Sequence, residues 1–174
     1  MTRHIPREDG SVERHHTATA YVVSRDRTLL LWHSRLRMWL PPGGHCERDE
    51  HPVEAAEREA LEEAGIEARV IPPRDLIECS GPQVLPPPAV ILLEDIVRED
   101  QPFHQHIDHV YFTVPPRPVD FEAPIPHGPH RWATREELVR EFSLQEPGGT
   151  LVGVAEDVRL LGVRAIDAAA ALET

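Results

Sequence analysis

No lysine occurs anywhere in this 174-residue chain, so all 18 of its basic residues are arginine. That reflects a coding bias rather than a mechanism. Positive charge is scarce overall, since 30 aspartates and glutamates leave a formal net charge of −12. Non-specific affinity for nucleic acid comes from basic side chains that release counterions, so no stable nucleic-acid binding is expected. Cysteine is reduced to Cys46 and Cys79, both in loop-like contexts. Two thiols without a secretory leader point to a reduced protein rather than a disulfide-stapled one. No apolar run approaches the roughly 18–20 residues that a membrane span needs, and the first residues (MTRHIPREDGSVERHH) lack a signal-peptide core. The expected setting is cytoplasmic, with no membrane partner. Internal repeats and a second domain are missing too. The length suits one domain with a proper core, residues 15–174, preceded by a loose polar segment over residues 1–14.

Proline, by contrast, is abundant, with 18 residues that punctuate loops and argue against long helices between them. Thr17–Val23 and Thr28–His33 read as strands of a hairpin. Leu40–Gly44 then bends into a helix that should start near Pro52, where a missing N–H costs nothing. It should stop at Gly65, the residue type best able to take the left-handed terminal conformation. Val53, Ala56, Ala60, Leu61 and Ala64 form its expected inward stripe. Glu67–Ile71, Leu76–Cys79, Ala89–Val97 and Asp108–Val114 are strand-like. Trp132 should introduce a helix over about Thr134–Phe142, capped by Thr134. A last helix is expected over Val154–Leu172. The order suits an α/β fold, an α/β/α sandwich around a mixed sheet.

The densest information lies in residues 44–66, GHCERDEHPVEAAEREALEEAGI. Eight acidic residues stand there against Arg48 and Arg58, so the stretch carries −6, half of the chain's excess. Glu59, Glu62 and Glu63 sit at i, i+3 and i+4 and share one face of a helix. Like charges so placed repel each other. A divalent cation between them relieves the repulsion, and hard cations prefer oxygen ligands. The plainer reading is a solvated acidic helix face.

Gly44, Glu50 and the run Arg58-Glu59-Ala60-Leu61-Glu62-Glu63-Ala64-Gly65-Ile66 resemble a complete Nudix box, the signature of the MutT-like hydrolases. Trp39-Leu40-Pro41-Pro42-Gly43-Gly44-His45 is similar to the strand and turn that lead into that box, with one extra proline. The resemblance implies the α/β/α sandwich and a Mg²⁺- or Mn²⁺-dependent hydrolase of phosphoanhydrides in nucleoside diphosphates linked to another moiety. It implies Glu59, Glu62 and Glu63 as metal ligands with the Gly44 carbonyl, and Arg58 and Glu50 as supports that orient them. An ordinary i,i+4 pair of Arg58 with Glu54 or Glu62 is compatible with that role. Arg35 and Arg37 would grip phosphates. Among Trp32, Trp39, Tyr111 and Trp132, Trp39 is the candidate for stacking a base, although aromatics in strand patterns are more often core.

Many Nudix enzymes add a glutamate just before the late tryptophan. Here only Glu122 is acidic, far from Trp132, which leaves His127 or His130 as substitutes and the base unassigned. His104, His106 and His109 are the other conspicuous group. Alternation puts His104 and His106 on one side of an extended segment. A Zn²⁺ site is one reading, because imidazole suits that metal. Exposed rings or phosphate contacts, switching near pH ~6.5, are the commoner one. The partner implied is a small nucleotide, and a homodimer is compatible with an alanine-rich last helix that could also cap its own sheet. Two alternatives use the same scaffold. A diphosphate isomerase would need a catalytic cysteine and usually carries a degraded box. A non-catalytic ADP-ribose-type sensor would have lost the glutamates.

Overall fold

The computed structural model describes residues 10–77, 79–98 and 101–172. The first half of the chain contains β1 (Glu13–Ser24), β2 (Arg27–His33), β3 (Met38–Leu40), β4 (Gly43–His45), α1 (Pro52–Ala64) and β5 (Arg69–Val70). The second half contains β6 (Val90–Arg98), β7 (Gln101–Val114), β8 (His130–Thr134), α2 (Arg135–Val139), β9 (Ser143–Gln145), β10 (Leu151–Gly153) and α3 (Glu156–Ala170).

An eight-stranded sheet is organised on β1. Along one edge β1 runs parallel to β7, from Glu13 opposite His104 to Val22 opposite Thr113. Its other edge is shared by β4 at Thr17–Thr19 and by β2 at Val23–Ser24, both antiparallel. Strand β7 pairs outward with β5 and β6, and β2 pairs with β3 and β8. The sheet is therefore mixed.

Period-2 alternation sends neighbouring residues of β1 and β2 into two different cores. Ala18, Ala20, Val22, Leu29 and Leu31 pack with Ala55, Ala56, Ala60 and Ala64 of α1. Tyr21, Val23, Leu30 and Trp32 pack with Val158, Leu161, Ala165 and Ile166 of α3. This is the expected α/β/α sandwich, and α3 caps its own sheet. The alanines let α1 lie close to the sheet. The inward stripe is corrected in two places: Ala55 is fully buried, whereas Leu61 is 48% exposed.

Both ends of α1 follow local rules. His51 is the N-cap, with Nδ1 accepting from the Glu54 backbone N–H at 3.2 Å while the Glu54 carboxylate accepts from the His51 N–H at 3.1 Å. Pro52 occupies the first turn. Gly65 ends the helix at φ +68°, in the left-handed region.

Elsewhere the elements depart from expectation. Glu13 and Arg14 belong to β1, so the loose segment does not extend to residue 14, and residues 1–9 lie outside the described part. Strand β7 begins at Gln101 rather than Asp108. Leu76, Ile77 and Cys79 are not strand, and Glu78 lies outside the described residues. Trp132 sits in β8 and not at a helix start. Thr134 does cap α2 with a reciprocal Glu137 contact, but α2 ends at Val139, short of Phe142. The β9–β10 hairpin was not anticipated. Among the described residues, no helix is long and apolar enough to cross a membrane.

Candidate active site

The acidic face of α1 is organised by one guanidinium. Arg58 Nε and Nη2 donate to Glu50 Oε1 and Oε2 at 2.8 and 3.0 Å. Nη1 donates to Glu59 Oε1 at 2.8 Å and to Glu62 Oε2 at 3.0 Å. Nη2 also reaches the His45 carbonyl at 3.0 Å. Each of the five N–H groups thus has an acceptor, in the forked geometry that only arginine offers. Arg58 ties the glutamates to the preceding loop, and its i,i+4 contact with Glu62 is part of the same network. Its hydrogen bonds hold the Glu50 carboxyl below the usual range. Three carboxylates face one cation, so the cluster keeps a negative excess.

Gly44 brings the loop backbone against this cluster. A Cβ at that position would lie 2.8 Å from Glu59 Cδ, so any larger residue would push the Glu59 carboxylate out of its present place. Glu63 turns the other way, accepting from the Gly43 N–H at 3.2 Å, with His127 Nε2 3.7 Å from its Oε1. Burial, followed by the charges of Glu59 and Glu62, raises the Glu63 carboxyl, against the Gly43 hydrogen bond and His127. An all-oxygen donor set of Glu59, Glu62, Glu63 and the Gly44 carbonyl fits a hard divalent ion. The raised Glu63 and the backbone approach allowed by Gly44 both suit such an ion.

Glu63 opens into a cleft of about 570 Å³. Its lining includes Arg35, Arg98, His127 and the acids Glu94 and Asp108. Asp108 is buried and accepts from Thr17 Oγ1 and Thr19 Oγ1, each at 2.9 Å. Burial nevertheless raises its carboxyl above the ordinary 3.8. A raised folded-state pKa means stability that is complete below the unfolded pKa and lost as pH rises through the folded value. Glu63 and Glu94 shift in the same direction, with desolvation the largest cause in each. In chelator-treated protein these three carboxyls should therefore contribute a decline in unfolding free energy as pH rises above the ordinary carboxylate range, against the gain from histidines such as His106, whose lowered pKa adds stability over the same interval. Asp108→Asn should flatten that decline, as measured by urea denaturation across the interval. An unchanged slope would remove Asp108 as a contributor.

Three sequence expectations for the substrate side meet different fates. Arg35 lines the cleft. Arg37 does not; its side chain is 66% exposed and donates to Glu146 Oε1 at 2.7 Å. Trp39 is corrected outright. It is 4% exposed in the core, with its ring centroid 5.4 Å from that of Trp32, so it presents no free face to a base. Trp32 borders the cleft instead. Arg98 was missed because it ends a strand with no local motif around it.

The late histidines also separate. His127 reaches Glu63, and its N–H donates to the Glu63 carbonyl at 3.0 Å. His130 lies near the Phe121 carbonyl instead, and Glu122 is exposed. His104 and His106 face the cleft, but His109 points elsewhere and meets His16, Nδ1 to Nε2 at 2.9 Å. The companions of His104 and His106 are His15 and His45. Burial, then His45, His104 and His15, lowers His106 to about 4.

A family model, the NUDIX domain, matches residues 13–151, from the start of β1 to β10. A solved hydrolase of the NUDIX family from Clostridium perfringens aligns with a TM-score of 0.65 at 29% identity, covering 90% of this chain and 98% of that one. The MutT protein from Methanosarcina mazei Go1 aligns with a TM-score of 0.54 at 17% identity, covering 88% and 94%. That second likeness is one of fold. No curated protein matches the sequence significantly.

Proposed function

The chain belongs to the Nudix family of hydrolases, which are pyrophosphohydrolases, and from that premise we propose that it cleaves a phosphoanhydride bond in a nucleoside diphosphate linked to another moiety. Nucleoside triphosphates and nucleotide sugars are within this class. The observation that carries the reading is the Arg58 network, which presents Glu59 and Glu62 from one helix while Glu63 borders the cleft.

The family is typically dependent on divalent metal, and Mg²⁺ or Mn²⁺ is the cofactor proposed here, held by Glu59, Glu62, Glu63 and the Gly44 carbonyl. When bound, such an ion neutralises the diphosphate and lowers the pKa of water. Arg35 and Arg98 bring positive charge to the cleft for the substrate phosphates. Glu63 is the carboxylate on the cleft side and takes the proton of the attacking water, as the P–O bond of the anhydride breaks and the phosphate leaves.

The isomerase alternative finds little support. Cys46 packs against the α1 core and burial, its largest influence, raises the thiol, whereas Cys79 is exposed. The intact glutamate face likewise disfavours a non-catalytic sensor. A homodimer is proposed through β6, where Ile91, Leu93 and Val97 are exposed on one face.

The test is a screen with Mg²⁺, read by chromatography of the nucleotide products, over nucleoside di- and triphosphates, ADP-ribose, dinucleoside polyphosphates and nucleotide sugars. One of these classes should turn over at least about tenfold faster than the others. Failure to cleave any anhydride in the set would overturn the reading.

A further inference from the structure

We propose that His15, His104 and His106, with His45 beside them, form a binding site for a zinc-class transition-metal ion, distinct from the carboxylate site on α1. The first three residues each offer a ligand atom, and those atoms lie within 4.8 Å of one another. Tetrahedral Zn²⁺ with Zn–N bonds of about 2.0–2.1 Å needs nitrogens roughly 3.4 Å apart, a closure that modest side-chain rotations supply. The donors sit on β1 and β7, where the parallel register sets His15 opposite His106. His45 comes from β4, its Nε2 3.3 Å from His15 Nδ1 and its ring centroid 4.8 Å from that of His106.

Three features distinguish this group from ordinary packed histidines. His104 is buried, and its Nδ1 lies 3.0 Å from the Pro102 carbonyl, an acceptor. Nδ1 therefore carries the proton, leaving a bare lone pair on Nε2. His15 Nε2 lies 3.0 Å from a Glu13 carboxylate oxygen, which puts the proton on Nε2 and the lone pair on Nδ1, the atom that faces His45 Nε2 at 3.3 Å. Carbonyl and carboxylate partners of this kind orient metal-binding imidazoles and raise their basicity. His106 Nε2 is buried with no hydrogen-bond partner among the described residues. Four imidazoles in mutual contact repel one another once protonated, so the cluster suits a cation that accepts lone pairs better than an anion. Nitrogen donors favour Zn²⁺ over Mg²⁺. His45, His104 and His106 border the same cleft as Glu63, so the ion would sit beside the substrate's path.

The experiment uses the full chain without a histidine tag, stripped by chelator and then held in excess Mg²⁺ to saturate the carboxylates. Zn²⁺ is titrated by calorimetry, and Co²⁺ is substituted to read coordination from its visible absorption. One Zn²⁺ per chain is expected, with nitrogen-dominated tetrahedral Co²⁺ bands. His104→Ala and His106→Ala should each weaken Zn²⁺ binding about 100-fold, and Glu13→Gln about tenfold. Glu62→Gln and His109→Ala should leave it within about threefold of the parent. His106→Gln, which retains side-chain bulk, and far-UV circular dichroism separate ligand loss from misfolding. The proposal fails if Zn²⁺ does not bind under excess Mg²⁺. It fails equally if binding is lost in Glu62→Gln, or survives in folded His104→Ala and His106→Gln.

Discussion

Glu63→Gln is expected to reduce turnover of the best substrate by about 10³-fold or more while making the chelator-treated protein slightly more stable. The two effects have one cause. Glu63 is half-buried beside two other carboxylates, and desolvation together with Glu59 and Glu62 disfavours its ionised form. The charge costs stability in the absence of an ion, and that same charge is what ligation and proton transfer require. Glutamine keeps the shape and can still accept from the Gly43 N–H, so the gain is a few tenths to about 1 kcal/mol from relieved repulsion. Glu62→Gln should lose a comparable share of activity with almost no change in stability, because Glu62 is 60% exposed. Steady-state kinetics and urea unfolding, each with chelator and with Mg²⁺, separate these effects. Near-normal turnover in both variants would make the metal assignment wrong.

The second large effect is expected at Arg58, which touches ligands rather than substrate and so acts by positioning. Arg58→Lys retains the charge but replaces the fork with a single ammonium that cannot serve Glu50, Glu59, Glu62 and the His45 carbonyl together. A fall in kcat of roughly 10–100-fold is expected, with a raised Mg²⁺ requirement and little change in KM for the nucleotide. Arg58→Leu should be worse in both respects. It leaves Glu50 and Glu59, each 12% exposed, without their cation, and the expected destabilisation is about 3 kcal/mol. Partial rescue by lysine of both kcat and the Mg²⁺ dependence, with KM for the nucleotide little changed, is the signature of positioning. A purely structural role would lower stability and leave the Mg²⁺ dependence of folded enzyme untouched.

Legibility in the sequence tracked how local each feature is. The helix α1 was readable because Pro52 and Gly65 mark its ends within the helix's own turns, and the glutamates at i, i+3 and i+4 need no other element to share a face. Arg58 was readable as a support for the same reason. The late strand β8 was missed because Trp132 is placed by pairing with Leu29 on distant β2, against which local propensity has no say. Sequence offers Trp39 as the candidate for stacking a base, although strand aromatics are more often core. Its burial against Trp32 depends on the antiparallel pairing of β2 with β3.

What the sequence alone determined is the acidic helix with its supporting arginine, and through them the family and its hydrolytic chemistry. Those residues lie within 23 consecutive positions, where helical geometry converts spacing directly into proximity. Tertiary structure decided the rest. It put Arg35 and Arg98 rather than Arg37 along the cleft, His127 rather than His130 beside Glu63, and His15 and His45 rather than His109 next to His104 and His106. The parallel pairing of β1 with β7 joins residues about ninety positions apart, and its register is written in neither strand alone.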